Sequence, residues 1–154
     1  MTETKAILAE EELKRYVRQL PLIGNDGQHK LKRAKILIAG VGGLGSPIIT
    51  YLACAGIGRI VIVDNDTVSV GNLNRQTLHW SSDVGRKKIT SAQEKIRAMN
   101  PFVDVETVSC NIEEENVTGI VGDADLIVDA LDNFSGRYLL NRVAIQRHIP
   151  FFHG

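Results

Sequence analysis

A chain of 154 residues with 44% hydrophobic content can bury one ordinary core but not two independent ones, which predicts a single α/β domain. Its 18 basic residues balance its 18 acidic ones, so no overall field draws it to nucleic acid or to an anionic membrane, and neither is expected as a partner. Apolar runs such as Ile60 to Val63 are only strand-length and Met1 to Glu12 holds no apolar signal core, so a cytoplasmic protein is expected.

In chain order, Glu10 to Leu20 places Leu13, Tyr16, Val17 and Leu20 on one helical stripe, with Arg15 and Arg18 off it. Residues 1–30 are accordingly expected as an N-terminal helical arm, and 31–154 as the main domain. Lys35 to Ala39 (KILIA) is a buried strand followed at once by Gly40, Gly42, Gly43 and Gly45. Ser46 to Ala55 predicts a helix with Pro47 in its first turn, and Arg59 to Asp64 (RIVIVD) a second strand ending in acid. Lys87 to Asn100 carries Ile89, Ala92, Ile96 and Met99 on one helical face, and Pro101 ends it. Val103 to Val108 alternates like a strand, Asn116 to Val121 predicts a short helix, Ala124 to Ala130 another buried strand, and Ser135 to His148 the next helix. The repeated strand, helix, strand order with β-branched runs predicts a Rossmann-like, doubly wound, mostly parallel sheet covered on both faces. The apolar run from Ile149 stops at Gly154 with no helix after it, so the sheet is expected to be cut short before its later strands, and the chain as given to be inactive.

The two cysteines, Cys54 and Cys110, have no CxxC spacing and are expected as small core residues. The four histidines show no ligand spacing and are expected to be ordinary surface or core residues.

Gly40-Val41-Gly42-Gly43-Leu44-Gly45 fits G-x-G-x-x-G between a strand and a helix, and Asp64 ends the next strand. Glycines let the backbone approach a phosphate at a helix N-terminus, and the acid accepts from ribose hydroxyls. A nucleotide is implied, with NAD and ATP equal candidates. The following segment, Asp64 to Gln76, adds the amide of Asn72 and the guanidinium of Arg75, and Lys88 stands near the start of a helix. Arg and Lys suit triphosphate charge, and a dinucleotide needs less of it.

Five segments, RYVRQ (Arg15 to Gln19), GVGGLG (Gly40 to Gly45), DNDTVSVGNLNRQ (Asp64 to Gln76), VGRKK (Val84 to Lys88) and LDNFSGR (Leu131 to Arg137), resemble in order and spacing the ThiF/MoeB/HesA family. These are bacterial relatives of ubiquitin-activating enzymes. The resemblance implies an ATP-dependent adenylyltransferase acting on the C-terminal glycine carboxylate of a small ubiquitin-like sulfur-carrier protein ending in Gly-Gly. It implies Gly40, Gly42, Gly43 and Gly45 as the phosphate loop, Asp64 as the ribose ligand, and Asn72, Arg75 and Lys88 as phosphate contacts. Asp132 matches the family's magnesium-linked aspartate, and Arg18 an arginine that reaches across a homodimer into the partner's ATP site. The family's later region, with paired CxxC zinc ligands in many members and a reactive cysteine in some, has no counterpart here, and Cys110 is a poor candidate for that nucleophile. An NAD-binding oxidoreductase domain, for which GVGGLG and Asp64 suffice, and a non-catalytic partner subunit remain the alternatives.

Overall fold

The structure, a computed structural model, describes residues 8–154, so the first seven residues of the expected arm lie outside the described residues. Five parallel strands form one sheet: β1 (Lys35–Ala39), β2 (Arg59–Val63), β3 (Asp104–Val108), β4 (Leu126–Asp129) and β5 (Phe151–His153), in the order β3-β2-β1-β4-β5. The central strand β1 pairs Leu37 with Val61 on one side and Ile127 on the other, so these runs are apolar on both faces as a parallel sheet requires.

Alternation along the strands builds two cores. Ile36, Ile38, Ile60 and Ile62 pack with Ile49 and Ala53 of α3 (Gly45–Ala55) and with Ile89, Ala92 and Ile96 of α4 (Lys88–Met99). Leu37, Ala39, Val61 and Val63 pack instead with Val117 and Val121 of α5 (Val117–Val121) and with Leu140, Val143 and Ala144 of α6 (Phe134–Arg147). Helices therefore cover both faces, in the doubly wound arrangement that the strand runs predict. The chain leaves β1 toward one face and β4 toward the other, so the winding reverses between these neighbours and opens a crevice at their carboxyl ends.

The N-terminal segment departs from expectation. Instead of one helix over Glu10 to Leu20 there is a single turn, α1 (Glu10–Leu13), a 3-10 turn (Lys14–Tyr16), and then α2 (Leu20–Arg33), kinked where Gly24 takes φ 67°. Val17, placed on the apolar stripe, is 56% exposed. Polar anchoring decides the path: Tyr16 is buried with its hydroxyl donating to Glu12 Oε1 (3.2 Å) and accepting from Asn100 Nδ2 (3.1 Å). The Gln19 and Gln28 amides both donate to the Ala55 carbonyl, at 2.8 and 2.9 Å. Pro21, Gly24 and Gly27 make α2 a poor helix by propensity, and these tertiary contacts hold it. Cys54 also departs: it is exposed on the outer side of α3, while Cys110 is partly buried against the second core. Among the described residues no helix is long and apolar enough to cross a membrane.

Candidate nucleotide site

The carboxyl ends of β1, β2 and β4 meet in an open cleft of about 780 Å³. It is lined by Gly40, Gly42 and Gly43, by Asp64 and Asp66, by Arg75, Gln76 and Lys88, and across from them by Cys110 to Glu113 and Ala130 to Asn133. Two glycines are sterically required. Gly40 has φ 98° and any side chain there would begin 2.6 Å from the Ala130 carbonyl oxygen; one on Gly45 would begin 2.0 Å from the Gly40 carbonyl oxygen. Gly42 and Gly43 differ, since beside them lie only the side chains of Gln76 and Arg75, at 3.8 and 3.4 Å from where a Cβ would stand. Bare backbone thus faces the cleft, with α3 starting immediately behind it.

The acid that follows β2 already works within the fold. Asp64 Oδ2 accepts the Val41 backbone N–H (2.8 Å) and Oδ1 accepts that of Asp66 (2.7 Å), which fixes the carboxylate against the glycine loop. Each oxygen keeps a lone pair for a further donor such as a ribose hydroxyl. Lys88 opens α4 and is only 5% exposed; its Nζ donates to Asp66 Oδ2 at 2.7 Å. Arg75 is exposed, held loosely by the Gly71 carbonyl and Asn74 Oδ1, both at 3.1 Å. Asp132 is exposed on the loop after β4.

Of the sequence-predicted residues, Gly40, Gly42, Gly43, Asp64, Arg75, Lys88 and Asp132 line this cleft together, with Gly45 buried directly behind the loop. Asn72 is not among the lining residues: its Oδ1 accepts the Ser69 backbone N–H (3.0 Å) and closes a 3-10 turn, Val70–Asn72. Arg18 is exposed away from the cleft, just before α2.

Sequence reasoning missed two residues. Gln76 is 4% exposed, lines the cleft, and has a buried Oε1 with no hydrogen-bond partner. Asp129, which ends β4, is fully buried and pairs with Arg137 (Nε to Oδ2, 2.6 Å). The terminal acid of the run LIVD was a signal for the second; the first closes the segment DNDTVSVGNLNRQ, and its place there was the one signal for it. Cys110 lines the cleft, but burial, aided by the charge of Glu113, pushes its thiol pKa up and keeps it protonated, a poor state for a nucleophile.

The residues present fit a nucleotide polyphosphate: an uncovered glycine backbone, two cations and the Gln76 amide, whose Nε2 lies beside Gly42 and can donate, line the same cleft. They do not form a resident metal cage, because among the described residues no group of three or more His, Cys, Asp or Glu side chains converges. Asp132 alone suits a hard cation that arrives already coordinated by phosphates.

The sequence profile of the ThiF family matches residues 14–154. The chain is 46% identical over 146 residues to the sulfur carrier protein adenylyltransferase of Thermus thermophilus, covering 94% of this chain and 54% of that protein. It is 39% identical over 151 residues to the molybdopterin-synthase adenylyltransferase of Salmonella typhimurium, covering 97% and 61%. The chain spans about half the length of the curated relatives it matches. Among solved structures, the E. coli tRNA N6-threonylcarbamoyladenosine dehydratase superposes with a TM-score of 0.92 at 28% identity, in complexes with AMP and with ATP. The match covers 96% of this chain and 60% and 61% of those two chains.

Proposed function

The chain belongs to the ThiF family, and on that premise we propose that its cleft binds ATP with magnesium and, in the whole protein, adenylates the C-terminal carboxylate of a small ubiquitin-like sulfur carrier ending in Gly-Gly. The observation that carries this reading is the meeting of the glycine loop, Asp64, Arg75, Lys88 and Asp132 around one cleft. Two cations beside the loop exceed what a dinucleotide requires, which favours ATP over NAD. Relatives named as adenylyltransferases and the ATP complex of a structural relative support the same choice.

In the reaction, a carboxylate oxygen of the carrier attacks the α-phosphorus, the new C–O–P linkage forms, and the bond from that phosphorus to the bridging oxygen breaks. Its electron pair leaves with pyrophosphate. No proton need be removed, because the attacking carboxylate is already ionised at neutral pH. The enzyme's work is to hold two anions together and to oppose the charge gathering on the leaving group. Arg75 and Lys88 supply that charge from the same subunit, and Lys88 exchanges its partner Asp66 for phosphate oxygens. Asn72 holds the Val70–Asn72 turn that presents Arg75, and reaches phosphate if that turn opens. Magnesium, held by Asp132 and the phosphates, supplies further positive charge when bound.

Arg18 completes the site of a second copy. Its exposure beside exposed apolar Val17, Leu22 and Ile23 supports a homodimer face there. The cytoplasm, where ATP is abundant, is the compartment this reading implies.

Titration calorimetry of the whole protein against magnesium-ATP and against NAD tests the nucleotide. Tight NAD binding with none for ATP overturns the adenylation reading in favour of an oxidoreductase. Pyrophosphate exchange into ATP that depends on a Gly-Gly-ending carrier tests the reaction, and its absence despite ATP binding leaves a non-catalytic subunit.

A further inference from the structure

Buried in the loop between β2 and α4 is a histidine for which the adenylation chemistry has no use. His79 is 3% exposed, and both of its ring nitrogens are engaged: Nε2 with the Val41 carbonyl oxygen at 3.1 Å and Nδ1 with Ser91 Oγ at 2.9 Å. A carbonyl oxygen can only accept, so Nε2 carries the proton. In the neutral ring Nδ1 then accepts, and the Ser91 hydroxyl donates to it. Ser91 Oγ in turn accepts from Lys95 Nζ (2.8 Å), which also donates to the buried carboxylate of Asp83. The network thus has one consistent direction, running from Lys95 through Ser91 and His79 to the glycine loop.

What the two ends of this bridge carry gives it meaning. Val41 lies inside the loop, its N–H donated to Asp64 (2.8 Å), so its two peptide groups are held by the candidate ribose acid on one side and by His79 on the other. Gly42 and Gly43 follow directly. Ser91 stands on the first turn of α4, whose first residue is Lys88. His79 is therefore a strut between the two elements that bring backbone and cation to the cleft.

We propose that His79, as its Nε2–H tautomer, is a positioning residue for phosphate binding: it couples the Gly40–Gly45 loop to the helix that carries Lys88, so that both are set before a nucleotide arrives. The inference rests on the nucleotide reading above. Burial lowers the ring's pKa; the Val41 carbonyl opposes that, the charges of Lys95 and Lys88 add to it, and Asp83 works against it, so the neutral ring that the geometry requires is also the favoured one. The groups of α4 that face it are Ser91, Lys95 and Lys88, and Asp83 faces it from the turn before.

Three substitutions in the whole protein test this, because side chains differ in which half of the strut they can replace. His79→Gln places an amide nitrogen where Nε2 stood and can donate to Val41; His79→Asn reaches only Ser91; His79→Phe keeps an aromatic ring, a larger one, and loses both. Magnesium-ATP affinity is measured by calorimetry, with thermal melting of each nucleotide-free variant as the control for folding. The expected result is a loss of about tenfold in affinity for His79→Asn, the effect of one buried hydrogen bond, at least as large a loss for His79→Phe, and His79→Gln within about twofold of wild type. Wild-type affinity in all three, whatever their melting temperatures, makes His79 a packing residue and overturns the proposal. Amide hydrogen exchange of the nucleotide-free protein separates this failure from a failure of the ATP reading. Coupling requires His79→Phe to speed exchange at Gly42 to Gly45 and at the start of α4 together, even if wild type binds no ATP. Faster exchange confined to the residues around 79 overturns it.

Discussion

Arg137 donates through Nε to the buried carboxylate of Asp129 at 2.6 Å and through Nη2 to the carbonyls of Leu131 and Gly154, both at 3.0 Å. Asp129 also accepts the Leu131 N–H at 3.0 Å, so one ion pair fixes the loop that presents Asp132 and ties it to the end of the chain beside β5. Removing the guanidinium leaves a fully buried carboxylate without its counter-charge, which in other proteins costs about 3 kcal/mol or more. Arg137→Met is expected to lower unfolding stability by about that amount. Asp129→Asn, which keeps an acceptor for Leu131, is expected to cost less. Equal and small losses in chemical denaturation for both would show that the pair contributes little.

Gln76 presents the opposite case, a buried polar group left unsatisfied at the edge of a binding cleft. Such a group destabilises the nucleotide-free fold by about 1–3 kcal/mol, and replacing it with an apolar residue of similar volume removes that penalty. Gln76→Met is therefore expected to melt at or above the wild-type temperature while binding magnesium-ATP less tightly. Gln76→Glu adds an anion next to the phosphate loop and is expected to weaken ATP more than Met does. A clear loss of stability in the Met variant would mean that the amide has a partner within the fold.

The sheet was legible in sequence because its signals are local. KILIA, RIVIV and LIVD are β-branched runs of strand length; the first two are followed by Gly40 and Asp64, and the third itself ends in Asp129. The cleft was legible for the same reason: strand ends converge in any doubly wound sheet, so the positions of Gly40, Asp64 and Asp132 just after strands bring them together. What sequence hid depends on contacts between distant residues. The turn at Tyr16 and the path of α2 follow from hydrogen bonds to Asn100 and Ala55, far along the chain, against an apolar spacing that favours one continuous helix. Cys54 was expected inside on residue type alone, but its place on α3 turns it outward. Gln76 and His79 sit in a loop with no period, where only tertiary packing tells a buried amide or imidazole from a solvated one.

Acid is expected to unfold the α4 flank first. Burial alone would raise the pKa of Asp83, but the hydrogen bonds from Lys95 and from the Trp80 backbone, with the Lys95 charge, outweigh it and lower the pKa from 3.8 to about 2. A carboxylate whose folded pKa is depressed stabilises the fold above its unfolded pKa and loses that contribution as pH falls through the folded one. Stability attributable to Asp83, about 2 kcal/mol, should therefore vanish between about pH 4 and pH 2. Denaturant midpoints measured across that window should fall more steeply for wild type than for Asp83→Asn, which has nothing there to titrate. Parallel slopes would place the acid sensitivity elsewhere, with the exposed Asp123–Lys35 pair the next group to examine.

Arg18 and Lys88 stand in very different surroundings: the lysine is buried at the cleft and the arginine exposed outside it, before α2. If Arg18 serves the partner's site, the two residues can be lost from different chains without both being lost from one site. An Arg18→Ala protein and a Lys88→Ala protein, each whole and each expected to be inactive alone, are mixed under conditions that exchange subunits. In the mixed dimer, the site built on the first chain has its own Lys88 and receives Arg18 from the second, while the other site lacks both. Random pairing makes half of the dimers mixed, so carrier-dependent pyrophosphate exchange should return to about a quarter of the wild-type rate. Recovery near that level supports the crossed arrangement. No recovery, with subunit exchange demonstrated by mass-tagged chains, would return Arg18 to its own subunit or to a purely surface role.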